Sequence, residues 1–538
     1  MRLALALAAA VCAVILAVWA WLGAPVPPPA ASFSAAEKIP CVSYAPFRAD
    51  QSPFIAGLVI PPEQIDDDFA RLAKITDCVR TYSTEMGLSA APALARKHGL
   101  SMLQGIWIGR DPANNRIEIE EALKAAKANP DVIKGLIVGN EVLLRGEQTP
   151  AAMAALIAEV KSRAGGIPVT YADVWEFWER NVALADGVDF VTVHILPFWE
   201  DLPVGADKAV AHIDEIRQHV GKIFAGKEIL IGETGWPSAG RMREGAQPSP
   251  SNQARVIEEL LALAKEKGYR VNVIEAFDQP WKRQLEGTVG GRWGFLDAYT
   301  RDFKFHWGVP TSDHPRWLVD ALAGIALALG CFGMAQWGAK RAGAAPPATA
   351  GWIAVAAVAL FAGLTYGRAL ASAPVESLGV AGWTRALIML AIGLAVPLLV
   401  SFAIGGRART VGLATALDPQ MRRGASGLDV ALGVLLAASV VLIAQIGFGL
   451  VFDPRYKDFQ FAGLTPIVAA FLVYAFTVDR GSAGEGNAER IAGTAFIASG
   501  LYVVLNETLA NWQGLWTGSL MVLFGISLWR LARAARRI

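Results

Sequence analysis

Few of the residues that mark a metalloprotein or a disulfide scaffold are present. The chain has four cysteines in 538 residues, none in a CxxC pair, and six scattered histidines. No metal-ligand spacing results, and neither a metal nor an organic cofactor is expected. Charge of one sign is also lacking: 49 basic against 48 acidic residues leave a net charge of +1, so nucleic acid is not an expected partner. Cys41 and Cys78 lie in the more polar part of the chain, where an oxidising compartment would permit a disulfide. Two buried thiols fit the same positions.

Hydrophobicity, by contrast, is plentiful and uneven. Apolar residues make up 54% of the chain, and its length asks for more than one domain. Residues 1–23 form an apolar anchor or signal segment, with the uncleaved anchor preferred because the following PVPPPA makes a poor cleavage site. Residues 24–39 read as a linker, 40–312 as a soluble domain and 313–538 as an all-α transmembrane domain. Spans of about 20 residues are expected near 317–337, 352–371, 386–404, 428–452, 461–478, 491–506 and 514–530. With a cytoplasmic N-terminus, Lys340/Arg341, Arg407/Arg409/Arg422/Arg423, the 479–490 loop and the basic tail from Arg530 all fall inside, as the positive-inside rule requires. The soluble domain is then extracytoplasmic, in the periplasm of a Gram-negative cell. The acids Asp320, Asp429 and Glu507 fall near span ends, where solvation is the expected state. No cytoplasmic domain carries an Asp-x-Asp signature of nucleotide-sugar polymerases.

Between residues 40 and 300, eight short β-rich runs alternate with helical stretches: CVSY, CVRTY, SMLQGIWI, GLIVG, VTYA, FVTVH, EILIG and VNVIEAF. Continuous apolar runs suit strands buried on both faces. Eight β–α repeats in this length predict a (β/α)8 TIM barrel over a doubly wound sheet. Barrel active sites lie at the strand C-termini. The polar and aromatic residues there are Tyr44, Arg80, Tyr82, Asn140, Glu141, Tyr171, Asp173, His194, Glu233 and Glu275. Glu141 and Glu233 end the fourth and seventh runs and would meet across one mouth, as the paired carboxyl groups of a retaining glycosidase do. Trp236 offers an apolar face for a pyranose, and Trp175 with Trp178 an outer platform or plain core.

The motifs VGNE (138–141), GETGWPS (232–238), EAFDQPWK (275–282) and EGTVGGRWGFLD (286–297), in this order, resemble glycoside hydrolase family 17, the β-1,3-glucanase family. The resemblance spans about residues 40–310. It implies Glu141 as acid/base, Glu233 as nucleophile, and Glu275, Lys282 and Glu286 as a polar set that tunes charge nearby. It also implicates Tyr44 in VSYAPF, and Arg80 and Tyr82 in VRTYS. Leu196-Pro197-Phe198-Trp199 replaces the Tyr-Pro-Phe typical of plant members and alters one wall, bringing in Phe198 and Trp199. His194 reads as an orienting residue. The layout is similar to that of membrane-attached bacterial members, β-(1,6)-glucan synthase-like proteins linked to transglycosylation of β-1,3/1,6-glucans. The expected partners are a β-glucan, the lipid bilayer and a membrane glucan synthase. The function implied is a β-1,3-glucan glucanosyltransferase that remodels, branches or cyclises periplasmic glucan. An endo-β-1,3-glucanase and a non-catalytic glucan-binding scaffold are the alternatives.

Overall fold

The computed structural model describes residues 2–29, 37–478 and 486–535. Residues 30–36 of the expected linker, most of the 479–490 loop and the end of the basic tail lie outside the described residues. The chain divides into two compact units. One comprises Val26–Ala239 and Gly245–Thr311; the other comprises Met1–Pro25, Gly240–Glu244 and Ser312–Ile538.

The first unit is built on eight strands: β1 (Val42–Ser43), β2 (Cys78–Arg80), β3 (Ser101–Ile106), β4 (Ile133–Asn140), β5 (Val169–Val174), β6 (Phe190–His194), β7 (Glu228–Glu233) and β8 (Arg270–Val271). They pair in sequence order and every pairing is parallel. A parallel bridge between Val42 and Val273 brings the last segment back to the first, an arrangement consistent with a (β/α)8 domain. Between strands the chain crosses over through helices such as Pro112–Ala128, Pro150–Arg163 and Pro250–Lys267. Each starts at a cap–Pro pair. Asp111, Thr149 and Ser249 accept backbone N–H groups that the first turn leaves unpaired, and the proline at the first helical position has no N–H to satisfy.

The core has two layers. Strand and helix side chains form the large outer one, including Phe69, Ile119, Ile157, Trp178, Ile213 and Leu260. A small inner layer is made by Cys41, Leu103, Ile137, Ala172, Phe190 and Leu230, with Cys78 packed against it. Cys41 and Cys78 are joined as a disulfide across the starts of β1 and β2, their Cα atoms 4.4 Å apart.

The eighth expected run, Val271–Phe277, forms little regular ladder. Its amides turn to three different segments: Val273 to Cys41, Ile274 to Thr234, and Glu275 to Trp293. No single neighbour therefore supplies a continuous row of partners.

The second unit is helical. Among the described residues, seven helices are long and apolar enough to cross a membrane: Arg2–Leu22, Trp317–Arg341, Thr349–Glu376, Gly379–Gly405, Gly427–Phe452, Asn487–Glu507 and the last, Trp512–Ala532. Phe461–Thr477 is apolar but shorter, at 17 residues. Glu507 differs from its expected solvated state. It is buried and paired with Arg241 at 2.6 Å, and Asn511 donates to it at 2.9 Å.

Candidate active site

Strand pleating decides which side chains point into the mouth. On β2 and the residues after it, Arg80 and Tyr82 share a face, and both reach Glu233 on β7: Arg80 Nη1 at 3.3 Å and the Tyr82 hydroxyl at 2.8 Å, each donating to Oε1. Arg80 also donates to the Gly232 carbonyl (2.6 Å) and to Asn140 Oδ1. The Glu233 carboxyl thus has two fixed donors and little exposure to water. Burial pushes the Tyr82 hydroxyl well above its ordinary range, reinforced by the Glu233 charge, so Tyr82 stays a donor. Ser43 ties this group to the residue after β8, since its hydroxyl donates to the Tyr82 oxygen at 2.9 Å and accepts from Asn272 Nδ2 at 2.7 Å.

Gly232 has no room for a side chain. A Cβ there would meet Thr192 Cγ2 at 2.4 Å and the His194 ring at 3.2 Å. Only glycine lets β7 lie this close to β6 while presenting Glu233.

Glu141 follows β4 and faces Glu233. Its Oε1 lies 2.7 Å from His194 Nδ1, and His194 Nε2 lies 3.7 Å from Glu233 Oε1. One oxygen or nitrogen of each of the three residues falls within 4.8 Å of the other two. The backbone at Glu141 is left-handed, with φ of 53°, a conformation that costs energy for a residue with a Cβ and clusters at functional sites. Gly139, two residues earlier, is at φ of 84°, and a Cβ there would strike Val142 Cγ2 at 2.6 Å. The bend is held from β5: Tyr171 and Asp173 both bond the Leu143 amide, at 3.0 and 3.2 Å, and to each other. Burial raises the Asp173 carboxyl, with the Glu141 charge adding to the effect.

Burial acts to raise the Glu141 carboxyl. The hydrogen bond and charge of His194, with Arg145 and Arg80, outweigh it and hold the group below its ordinary range. If Nδ1–H donates to Glu141, Nε2 is free to accept from Arg80 Nη1, 3.4 Å away. Removing the ring should then raise the Glu141 pKa. For the variant His194→Gln, the alkaline limb of the kcat/KM profile, which reports the acid of the free enzyme, is expected to move to higher pH. A limb that stays in place or moves down would separate His194 from the acid.

Three ligand atoms this close also resemble a cation site. The Arg80 guanidinium already bonds the Glu233 oxygen in that group, so the arrangement suits a carboxylate pair better than a metal.

A second polar set adjoins the first. Lys282 Nζ bonds both oxygens of Glu275 at 3.1 and 3.0 Å. Burial pushes the Glu275 carboxyl up to about 7 against the pull of Lys282. Burial lowers the Lys282 ammonium less than Glu275, Glu286 and Glu233 raise it, so it remains charged. Burial likewise raises Glu286.

Several expected residues sit elsewhere. Tyr44 is fully buried behind β1, its hydroxyl on Asp68 at 3.0 Å, and it does not enter the mouth. Tyr171 lies under the Glu141 bend rather than beside a sugar. Trp236 and Phe198 are 0% exposed and form a buried aromatic cluster with Trp293. Trp236 donates from Nε1 to the Gln247 carbonyl at 3.0 Å and has no face left for a pyranose. Trp199 is half-buried and stacks on Trp293 at 6.3 Å. Trp178 is core, and Trp175 packs edge-on against His219 at 6.0 Å. Ser43 and Asn272 join the site without having been among the expected residues. Asp173, expected with Tyr171 at the end of the fifth run and two positions after it, does reach the site, on the same face as Tyr171.

Residues 41–294 match the sequence pattern of the BtgE/BtgC glycoside hydrolase domain. The match takes in a little under half of the chain and is to a glycoside hydrolase domain. A glucan 1,3-beta-glucosidase of Arthroderma benhamiae is 29% identical over 293 residues, 50% of this chain and 90% of that protein. A probable beta-glucosidase, btgE, of Aspergillus fumigatus is 30% identical over 41% of this chain and 39% of its own length. Among solved structures, the family 17 beta-1,3-glucanosyltransferase of Rhizomucor miehei is 30% identical and aligns with 49% of this chain and 94% of its own, with a TM-score of 0.43. The chain is an enzyme acting on glycosidic bonds, and its resemblance to these proteins is confined to about half its length.

Proposed function

We propose that the chain is a retaining β-1,3-glucan glucanosyltransferase, with Glu233 as nucleophile and Glu141 as acid/base. The observation that carries the reading is the spacing of the two carboxyl groups. Oxygens of Glu141 and Glu233 within 4.8 Å suit double displacement, which needs about 5–5.5 Å between the groups, and leave no room for the water of an inverting enzyme.

In the first step Glu141 gives its proton to the glycosidic oxygen as the bond to the anomeric carbon breaks. Glu233 attacks that carbon and forms a glycosyl ester. In the second step Glu141, now ionised, takes the proton of an acceptor hydroxyl. The acceptor oxygen bonds the anomeric carbon, and Glu233 is released as carboxylate. The depressed Glu141 pKa favours this second role.

Whether the acceptor is water or sugar sets transferase against hydrolase. Seven helices long enough to span a membrane favour an enzyme held beside a nascent glucan and a membrane synthase over a free scavenging hydrolase. The Cys41–Cys78 disulfide supports an oxidising, extracytoplasmic site for the barrel, in keeping with the charge bias of the loops. The experiment is mass analysis of products from full-length protein in detergent, given β-1,3-glucan oligosaccharides. Products longer than the substrate, branched or cyclised, are expected. Only shorter products would make the protein an endo-β-1,3-glucanase, and none at all would favour a binding scaffold.

A further inference from the structure

Sugars are commonly held on aromatic faces, yet most aromatic residues near the mouth are buried, as described above. Trp107 is different. It directly follows β3, at the same end of the sheet as Glu141, and is 41% exposed. Large aromatic side chains normally bury more of their surface than this.

Trp107 is also held rigidly. Its backbone amide donates to Glu118 Oε2 at 3.3 Å, and that carboxylate is buried and bonded by both the amide and hydroxyl of Thr84, at 3.1 and 3.0 Å. The Arg145 guanidinium lies 4.4 Å from the centre of the indole. Arg145 is itself fixed by Glu147 Oε2 at 2.9 and 2.7 Å, the Ile108 carbonyl at 3.2 Å and the Asn140 carbonyl. Asn140 immediately precedes Glu141. Among the described residues no acceptor meets the indole Nε1, and Gly109 leaves its surroundings open: a Cβ there would come no closer than 3.8 Å.

We propose that Trp107, backed by Arg145, is a sugar-stacking platform beside the acid/base that selects glucan chains long enough to reach it. The arginine covers one face of the ring. The other face can take the C–H groups of a pyranose, and Nε1 can donate to one of its hydroxyls. Four hydrogen bonds to three acceptors preorganise the arginine, so little rotamer entropy is lost when sugar binds. The inference rests on the glycosidase reading above and names the residue that sets its chain-length preference.

The test compares wild type, Trp107→Ala and Trp107→Phe as full-length protein on β-1,3-linked oligosaccharides of increasing length. With Ala, KM for the long chains should rise about tenfold, in line with one aromatic stacking contact, while kcat/KM for the shortest cleaved chain stays unchanged. Phe should keep most of the length preference. An equal loss at every length, or no loss at any, would overturn the platform. Wild-type protein inert toward every glucan would instead sink the functional reading. The platform would then be judged on binding alone, in a Glu233→Gln background: affinity that grows with chain length only when Trp107 is present supports it, and equal affinity overturns it.

Discussion

Replacing Glu233 by Gln is expected to lower kcat/KM toward β-1,3-glucan oligosaccharides by about 10⁴-fold or more, the scale seen when a covalent nucleophile is lost. The amide keeps the volume and can still meet Tyr82 and Arg80, so the fold and sugar binding should survive while bond formation to the anomeric carbon does not. Shortening the residue gives a sharper check. In Glu233→Ala the space left by the carboxylate can admit azide, and Arg80 and Tyr82, which now bond Glu233 at 3.3 and 2.8 Å, would face the incoming anion. Attack from that side on an activated β-glycoside, with the leaving group departing from the opposite face, should restore turnover in one displacement and yield a glycosyl azide of inverted configuration. Unchanged products from the Gln variant would show that Glu233 is not the nucleophile.

Glu141 and Glu233 were legible in the sequence because each sits in a short motif at the end of an apolar run, and because the eightfold repeat implied that both ends face one mouth. Arg80 and Tyr82 were legible for the same reason, being two residues apart on one face. Tyr44 was not. β1 is only two residues long, so it has no alternation from which to phase the pleat, and Ser43 turned out to be the inward residue. Trp236 read as a sugar platform from residue type, and Phe198 as part of one wall from the family resemblance, but burial depends on Trp293 and Ile274, which are remote in sequence. Asn272 reaches Ser43 across 229 residues, a contact that follows only from closing the sheet between its last and first segments. Arg145 and Trp107 are similar: neither belongs to a motif, and their pairing depends on the bend at Glu141. The long apolar helices were plain from composition. The burial of Glu507 was not, because its partner Arg241 lies 266 residues away.

Loss of Glu141 should have a different signature from loss of Glu233, and the contrast tests the assignment of roles. Glu141→Gln is expected to lower turnover of natural glucan by about 10²–10⁴-fold, the usual contribution of a general acid. An aryl glycoside with a good leaving group needs no proton to depart, so formation of the glycosyl ester at Glu233 should be nearly as fast as in wild type. Release from that ester still needs a base. The variant should therefore show a burst of the aryl product equal to the enzyme present, followed by slow turnover. Azide needs no deprotonation, so added azide should speed the slow phase and yield a glycosyl azide of retained configuration, opposite to that from Glu233→Ala. His194 sits between the two carboxylates, 2.7 Å from one and 3.7 Å from the other, and could in principle supply the missing proton. If it did, Glu141→Gln would keep substantial activity on natural glucan and show no burst, and the acid role would pass from the carboxyl to the imidazole.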